Sequence, residues 1–485
     1  MMKYINKIVL GFLIILNFNS CDSFLDVEPQ GEYIPTTYED YAFLLNNQSL
    51  INQFEIGYVN LFTDDLEKSS DEDITDEVGF DGSPVHAVNY YFFNPGPTYE
   101  IDQNDIYFTS AYSQIYTYDF IANNILEATD GSEEEKLALR AEALFGRAYN
   151  FFKLVNLYAK AYDPTTASTD YGVPLILEDN IYAEYGRNSV EEVHNQIIND
   201  LLEAIPYLNV TASSNFHPTK ACGYFLLAKL YLFRGEFDNA LNYANLAIEN
   251  KGTFELQDLK NYVAIPGGWG ARIFSLVTFR AMEDMVDVSE NMYLKNSFDN
   301  FHGSVLASEE LVAIFDKDLP STSQDMRREL YFEDDYADFN TQYRIHFPGR
   351  TIFGAFVNRN AGILLPDLYL VLAETEARVG NKDKAMEYIN YLRDFRIKNN
   401  VPLTASTNEE ALIKVFEERR RELCFVSDFR FQDLKRLNKE GAFAKTVTHT
   451  FGGVEYTLPP NDPRYILPIS NDVIQFNPDL PVYDR

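Results

Sequence analysis

The sequence predicts a mostly α-helical fold: a superhelix of stacked helix pairs, joined to an irregular, loop-rich region containing short strands. Three observations predict it. Four segments open with Ser or Thr followed three residues later by Glu, two stretches repeat one spacing of small residues, and the sequence between those stretches loses its helical period. With 485 residues, 46% of them apolar, the chain has material for a large core.

In chain order the first feature is a leader. Lys3 and Lys7 give a positive start, Ile8 to Leu16 is an apolar run, and Phe18-Asn19-Ser20-Cys21 follows. So short an apolar run cannot cross a bilayer, so residues 1–20 are expected to be an export signal and not a spanning helix. Cys21 is then the expected lipidation site, its thiol taking a diacylglycerol and its freed amine a further acyl chain such as palmitate. Two or more chains anchor a protein stably where one does so marginally. The alternative is an ordinary cleaved signal with an incidental cysteine. Residues 21–485 are expected to form a single domain. Losing Lys3 and Lys7 takes the formal charge from −34 to −36, and so acidic a surface repels nucleic acid and anionic lipid. Cys222 and Cys424 read as buried free thiols before they read as a disulfide.

Helical scaffold is expected at about 36–60, 105–250 and 365–437. The start signatures are Thr36/Glu39, Ser132/Glu135, Ser189/Glu192 and Thr407/Glu410, in which the hydroxyl accepts a free backbone N–H and the carboxylate reaches back. After Ser132, the residues Leu137, Ala141, Leu144, Ala148, Phe152 and Val155 recur at helical spacing on one face. The segment after Ser189 runs through Ile197 and Leu201 and stops at Pro206.

Ala228, Gly235 and Ala240 are spaced by seven and five, and Ala373, Gly380 and Ala385 repeat those spacings. Each stretch is similar to a tetratricopeptide unit: small residues where two helices touch, glycine at the turn, and large residues filling the gap to the next unit. The second copy has Glu376 and Lys382 where rings are usual. Such pairs bury their faces only by stacking on others, and 105–128 with 132–158 is the expected further pair.

Loop-rich stretches with short strands are expected at about 61–104, 251–360 and 441–485. They include Gly267-Gly268-Trp269-Gly270, the alternating run Ile273 to Phe279, and an acidic, aromatic run from Tyr331 to Tyr343. Long loops in compact domains tend to be functional, so a binding surface is expected here.

The strongest local motif is Glu418-Arg419-Arg420-Arg421-Glu422-Leu423-Cys424-Phe425, followed by Asp428 to Arg436. Physically it is a helix whose arginine stems cover apolar neighbours while their heads pair with carboxylates. With it the chain resembles the SusD/RagB family of outer-membrane lipoproteins of Bacteroidota, whose C-terminal half carries ERRxELxFEGxRxxDLxR. Val426-Ser427 stand here in place of Glu-Gly. Phe24-Leu25-Asp26, Asp325 with Arg327, Leu364 to Glu374, Leu467-Pro468-Ile469 and Asn477-Pro478 follow the family order, while Pro481 to Arg485 replaces the usual Gln-Asn-Pro-Gly-Tyr finish. The resemblance spans essentially the whole chain. It implies a surface lipoprotein of the outer membrane, facing the cell exterior, that captures nutrients, usually oligosaccharides, for a SusC-type TonB-dependent transporter. It also implies that loops bind the ligand while the helices face the transporter. A peptide- or glycopeptide-capturing relative and a tetratricopeptide-like interaction scaffold are the alternatives.

The shared motifs are scaffold, so site residues are argued from chemistry. A sugar offers an apolar C–H face and polar edges, and its receptor needs exposed rings flanked by polar groups. Trp269, in its glycine-rich loop, is the first candidate. Tyr90 and Tyr91 follow, although the run Tyr90 to Phe93 reads first as a buried strand with two rings on each face. Asn300, His302 and Asn358 are polar companions. No enzyme is expected: His86, His194, His217, His302, His346 and His449 show no metal-ligand spacing, and no carboxylate pair stands out. Asp71, Asp73 and Asp76 approach a calcium loop but lack its glycine and closing glutamate. No catalytic residue, metal or cofactor is assigned.

Overall fold

The structure, a computed structural model, describes residues 35–53, 56–68, 85–95, 105–178, 185–261, 288–297, 305–337, 344–352 and 359–485. Helices carry it. α1 (Tyr38–Leu45) and α2 (Val85–Tyr91) precede α3 (Ile106–Asn124), α4 (Glu133–Tyr158), α5 (Val190–Ala204), α6 (Lys220–Arg234) and α7 (Phe237–Glu249). The short α8 (Glu309–Asp316) and α9 (Met326–Tyr331) lead to α10 (Leu365–Arg378), α11 (Lys382–Asp394), α12 (Asn408–Leu423), α13 (Phe429–Leu437) and α14 (Asn471–Phe476). α3 packs on α4, α4 on α5, α6 on α7 and α10 on α11, and the pairs stack through α7 against α10 and α10 against α12. This is the mostly α superhelix of tetratricopeptide-like pairs that the small-residue spacing predicts.

The local chemistry explains the joints. Ala228, Ala240, Ala373 and Ala385 are fully buried, and Gly235 and Gly380 turn with φ of 78° and 100°, a region that costs an L side chain about 1–2 kcal/mol. In the second unit Glu376 takes the place of a ring by accepting the side-chain amide of Asn381 at 3.1 Å, which secures the turn from inside. Ser132 and Ser189 form full capping boxes. Two start signatures differ from the sequence reading. The first box is Thr37 with Asp40, one residue later than expected. At α12, Thr407 accepts from Glu410 N–H, but the Glu410 carboxylate takes the Ser406 N–H, at 2.7 Å.

α4 is more deeply set than its one-face period suggests, being buried on all sides from Ala143 to Tyr158. Its cations are paired there: Arg147 with Asp119 and Asp200 (2.6 Å each), Lys153 with Asp428 (2.5 Å). Two other expectations are corrected. Beyond α1 the chain runs as 3-10 turns, Gln48–Leu50 and Ile56–Phe62. The Tyr90 to Phe93 run is the end of helix α2 with the turn after it, and not a strand. Adjacent rings fit a helix end when both are covered, as here, where Tyr90 and Tyr91 are buried and Phe62 lies 4.5 Å from Tyr90 between ring centroids.

The strands are short: β1 (Leu66–Lys68), β2 (Asn291–Tyr293), β3 (Asn296–Ser297), β4 (Val305–Ala307), β5 (Gln324–Asp325), β6 (Phe332–Ala337), β7 (Arg344–Ile352), β8 (Arg359–Asn360), β9 (Ile363–Leu364), β10 (Ile397–Lys398) and the hairpin β11 (Val447–Phe451) and β12 (Val454–Leu458). An antiparallel sheet runs in the order β1-β4-β7-β6, and β2/β9, β3/β8, β5/β10 and β11/β12 are separate antiparallel pairs.

Candidate functional site

Strand register decides which loop stems share a neighbourhood. Lys68 of β1 faces Val305 of β4, and Leu306 faces Thr351 of β7. The last residue of β1, the first of β4 and the last of β7 therefore lie at one end of the sheet. The pair β3/β8 repeats this arrangement, with Ser297 facing Arg359. Asn300 and His302 fall between β3 and β4 in sequence, and Asn358 falls between β7 and β8. These three residues lie outside the described residues, as do Cys21 and Trp269. The structure thus brings together the stems of the two segments that carry Asn300, His302 and Asn358. The described stems of the segment that carries Trp269 are not among them. That segment leaves after Asn261 and returns at Val288, ahead of β2, whose first residue Asn291 faces Leu364 of β9 at the opposite end of the β2–β3 run.

Tyr90 and Tyr91 are described, and both are core residues with no ring face open to solvent, 3% and 0% exposed. Their place is beneath the loop stems. The Tyr91 hydroxyl accepts the Lys68 backbone N–H at 3.0 Å, tying α2 to the end of β1. The His449 ring is stacked between Tyr91 and Phe93, at centroid distances of 4.4 and 4.6 Å. Burial pushes its pKa down.

Buried charge bolts these stems to the helices. Asp64 and Asp65 stand just ahead of β1. Arg430 binds Asp64 through two hydrogen bonds of 2.8 Å, Lys445 adds a third at 2.6 Å, and Arg420 binds Asp65 at 2.6 Å. Burial opposes ionisation of Asp64, but the charges of Arg420 and Arg430 outweigh it and hold the carboxyl well below the usual range. Ser308, just after β4, donates its hydroxyl to the Asp64 carbonyl (2.7 Å) and its N–H to that of Asp65 (2.8 Å).

The Trp269 segment is anchored by the same device. Glu255 and Ser289 are joined by a backbone hydrogen bond of 3.1 Å. Glu290 accepts the Gln257 N–H at 2.9 Å and pairs with Arg396 at 2.8 Å, and Arg396 also reaches Glu422 of α12 at 2.7 Å. The arginine-rich motif is therefore a structural device, as its charge pattern predicts, but most of its partners lie on other elements. Arg419 binds Asp367 and Asp433, Arg436 binds Glu374, and Arg420 reaches across to Asp65, just ahead of β1.

Sequence reasoning missed a cluster formed by Tyr171, Arg187 and Tyr483. Nothing in the spacing links them, and the only signal was the departure of residues 481–485 from the family finish. Among the described residues no group of three or more His, Cys, Asp or Glu side chains is arranged to hold a metal ion. No helix among them is long and apolar enough to cross a membrane.

Two family profiles match the chain in separate regions. One, described as starch-binding and associating with the outer membrane, covers residues 23–232, and the other, described as the SusD family, covers 365–481. SusD-like protein P25 of Formosa agariphila is 23% identical over 99% of this chain and 98% of its own. SusD-like protein P2 of the same organism is 32% identical over 26% of this chain and 23% of its own. Among solved structures, a SusD superfamily protein from Bacteroides vulgatus superposes with a TM-score of 0.68 at 18% identity, covering 92% of this chain and 98% of that one. A SusD-like carbohydrate-binding protein from the same species gives 0.60 at 17% identity, covering 92% and 98%.

Proposed function

The chain belongs to the SusD/RagB family, and on that footing we propose that it is a surface glycan-binding lipoprotein that delivers captured oligosaccharide to a SusC-type TonB-dependent transporter for nutrient uptake. The observation that carries this reading is the common origin, at one end of a sheet bolted to the helices by buried ion pairs, of the stems of the two segments that carry Asn300, His302 and Asn358. A receptor gains affinity when its binding loops stand on a rigid base, because less ordering is left to be done on binding. Trp269 supplies a ring for the apolar sugar face, and Asn300, His302 and Asn358 supply donors and acceptors for its hydroxyls. Tyr90 and Tyr91 support the stems from below.

The family match, the profile naming starch binding and the neighbour described as carbohydrate binding support the glycan as ligand class. The leader ending in Cys21 supports a lipid-anchored body at the outer membrane facing the cell exterior, and no bond-breaking chemistry is assigned to it. The test is purification from native membranes in mild detergent, followed by mass spectrometry of bound small molecules and of co-purifying proteins. An oligosaccharide with a TonB-dependent barrel is the expected pair. A bound peptide, or a helical partner without a barrel, replaces this function with peptide capture or scaffolding.

A further inference from the structure

His449, in β11, is 1% exposed, and each of its ring nitrogens meets a backbone carbonyl. Nδ1 lies 2.8 Å from the Tyr91 oxygen and Nε2 2.8 Å from that of Thr63. A carbonyl only accepts, so both contacts are hydrogen bonds only when both nitrogens carry protons, which is the imidazolium form. A neutral ring has one proton to give. The Tyr91 carbonyl closes α2, and the residue four positions on is Pro95, which has no N–H to offer it. The Tyr91 and Phe93 rings stack on the imidazole at interplanar angles of 16° and 28°. Phe93 is brought there by a backbone φ of 52°, a region that bulky side chains rarely adopt, and Arg464 fixes the turn by donating to the Phe93 carbonyl at 2.9 Å.

The elements packed around the ring bring their own charge. The approach to β1 supplies Asp64, β1 supplies Glu67 and Lys68, α2 supplies the Tyr91 hydroxyl, and β12 places Tyr456 opposite His449. Asp64 and Glu67 favour a charged ring, but Asp64 is also held by Arg430 and Lys445, and Glu67 by Arg350. Burial outweighs them, so the ring takes its proton on the acid side of the ordinary histidine value of 6.5. At neutral pH one nitrogen therefore turns a lone pair toward a carbonyl oxygen, and that contact is repulsive. Lys68 titrates nearby, its ammonium pushed down to about 7 by burial, so a test has to read the imidazole itself.

We propose that His449 is a proton-operated latch at the base of the sheet: charged, it ties β11 to both the end of α2 and the approach to β1, and neutral, it keeps the Tyr91 carbonyl and releases that of Thr63. Tyr91 keeps the single proton because its carbonyl stands at the negative end of a helix and lacks a backbone donor. Thr63 leads through Asp64 and Asp65 into β1, whose last residue, Lys68, gives its N–H to the Tyr91 hydroxyl. Release therefore acts on one stem at the end of the sheet where the loops begin. The latch concerns how that stem is held and not what the loops bind, so it stands or falls without the glycan reading.

Long-range proton–nitrogen NMR of the protein carrying isotope-labelled histidine reads the ring directly, and His449→Gln assigns its signals among those of the six histidines. From about pH 8 to about pH 4.5, His449 is expected to pass from a neutral ring protonated on Nδ1 to one protonated on both nitrogens. Hydrogen exchange, corrected for its intrinsic pH dependence, follows the stem. Protection of residues 63–68 is expected to fall at least about tenfold as Nε2 loses its proton, the loss of one hydrogen bond from a charged donor. His449→Gln is expected to lose this step, and Lys68→Met to keep it. A ring that holds one protonation state throughout, a neutral ring with its proton on Nε2, a step that survives His449→Gln or a step abolished by Lys68→Met overturns the latch. If a variant does not fold, the wild-type ring signals and exchange decide alone, because the two have to change together.

Discussion

Arg327 Nη2 lies 2.7 Å from Glu418 Oε1, and neither side chain has any solvent exposure. The same guanidinium holds Asp325 at 2.7 Å and Glu422 at 2.8 Å, so one cation bridges three carboxylates on two separate elements, and Arg393, Arg396 and Arg421 complete the balance at the glutamates. Asp325 closes β5 and caps α9, while the glutamates belong to α12. The helical scaffold and the strand region are joined at this point.

Removing that cation takes away the ion-pair partner of buried Asp325 and leaves Glu418 to Arg393 and Arg421, and Glu422 to Arg396. Arg327→Ala is expected to cost about 3–5 kcal/mol, the range for breaking a buried ion pair from one side. Urea unfolding followed by circular dichroism measures it. A loss below about 1 kcal/mol would mean that water reaches the site.

Ser427, in the bend after α12, has a φ of 50°. The bend after α12 is therefore kept with a side chain in the left-handed region. Ser427→Gly relieves a conformational cost of about 1–2 kcal/mol, partly offset by about 0.5–1 kcal/mol of added chain entropy in the unfolded state. A gain of roughly 0.5–1 kcal/mol in thermal or urea unfolding is expected, with no change in ligand affinity.

Gly146 of α4 faces the Tyr118 ring of α3, and a Cβ there would stand 2.3 Å from Tyr118 Cζ. Tyr118 in turn lies 3.4 Å from Lys295 Nζ, next to β3. Gly146→Ala is expected to destabilise by about 1–3 kcal/mol through overpacking, while Gly441→Ala, which meets nothing within 4 Å, serves as control. Calorimetric melting of both variants decides it.

Stability is expected to fall on acidification. Burial opposes the charge of Glu374 and Asp367, but Arg436 and Arg378 for the first, and Arg419 and Lys229 for the second, pull each pKa down to about 2. A folded pKa below the unfolded one gives stability that is complete above about pH 4.5 and is lost as pH falls toward 2. Burial also lowers His194 to about 3, so its neutral form is lost from the unfolded chain first and adds a decline below about pH 6.5. Urea midpoints at pH 7, 5 and 3 are expected to decrease in that order. Glu374→Gln should be less stable at pH 7 and lose less between pH 5 and 3.

The legible part of the fold was the part set by local chemistry. Alanine and glycine at repeat spacing, and serine ahead of glutamate, act within a few residues, so they announce the helix pairs directly. The ring run at Tyr90 was misread because four adjacent aromatics carry no period, and only the neighbours Phe62 and His449 show how the rings at the end of a helix are covered. The arginine motif was recognised as structural, yet Asp64 and Asp65 were invisible as its partners because they are more than three hundred residues away. Tyr483 escaped as a neighbour of Tyr171 for the same reason, lying 312 residues from it.

The central claim is capture of an oligosaccharide without cleavage, and titration calorimetry of the purified protein against a glycan panel tests it most directly. At least one oligosaccharide should bind and be recovered at full length by chromatography, and Trp269→Ala should weaken it by more than about 1 kcal/mol. A panel that yields no binding, or only shortened products, would contradict it.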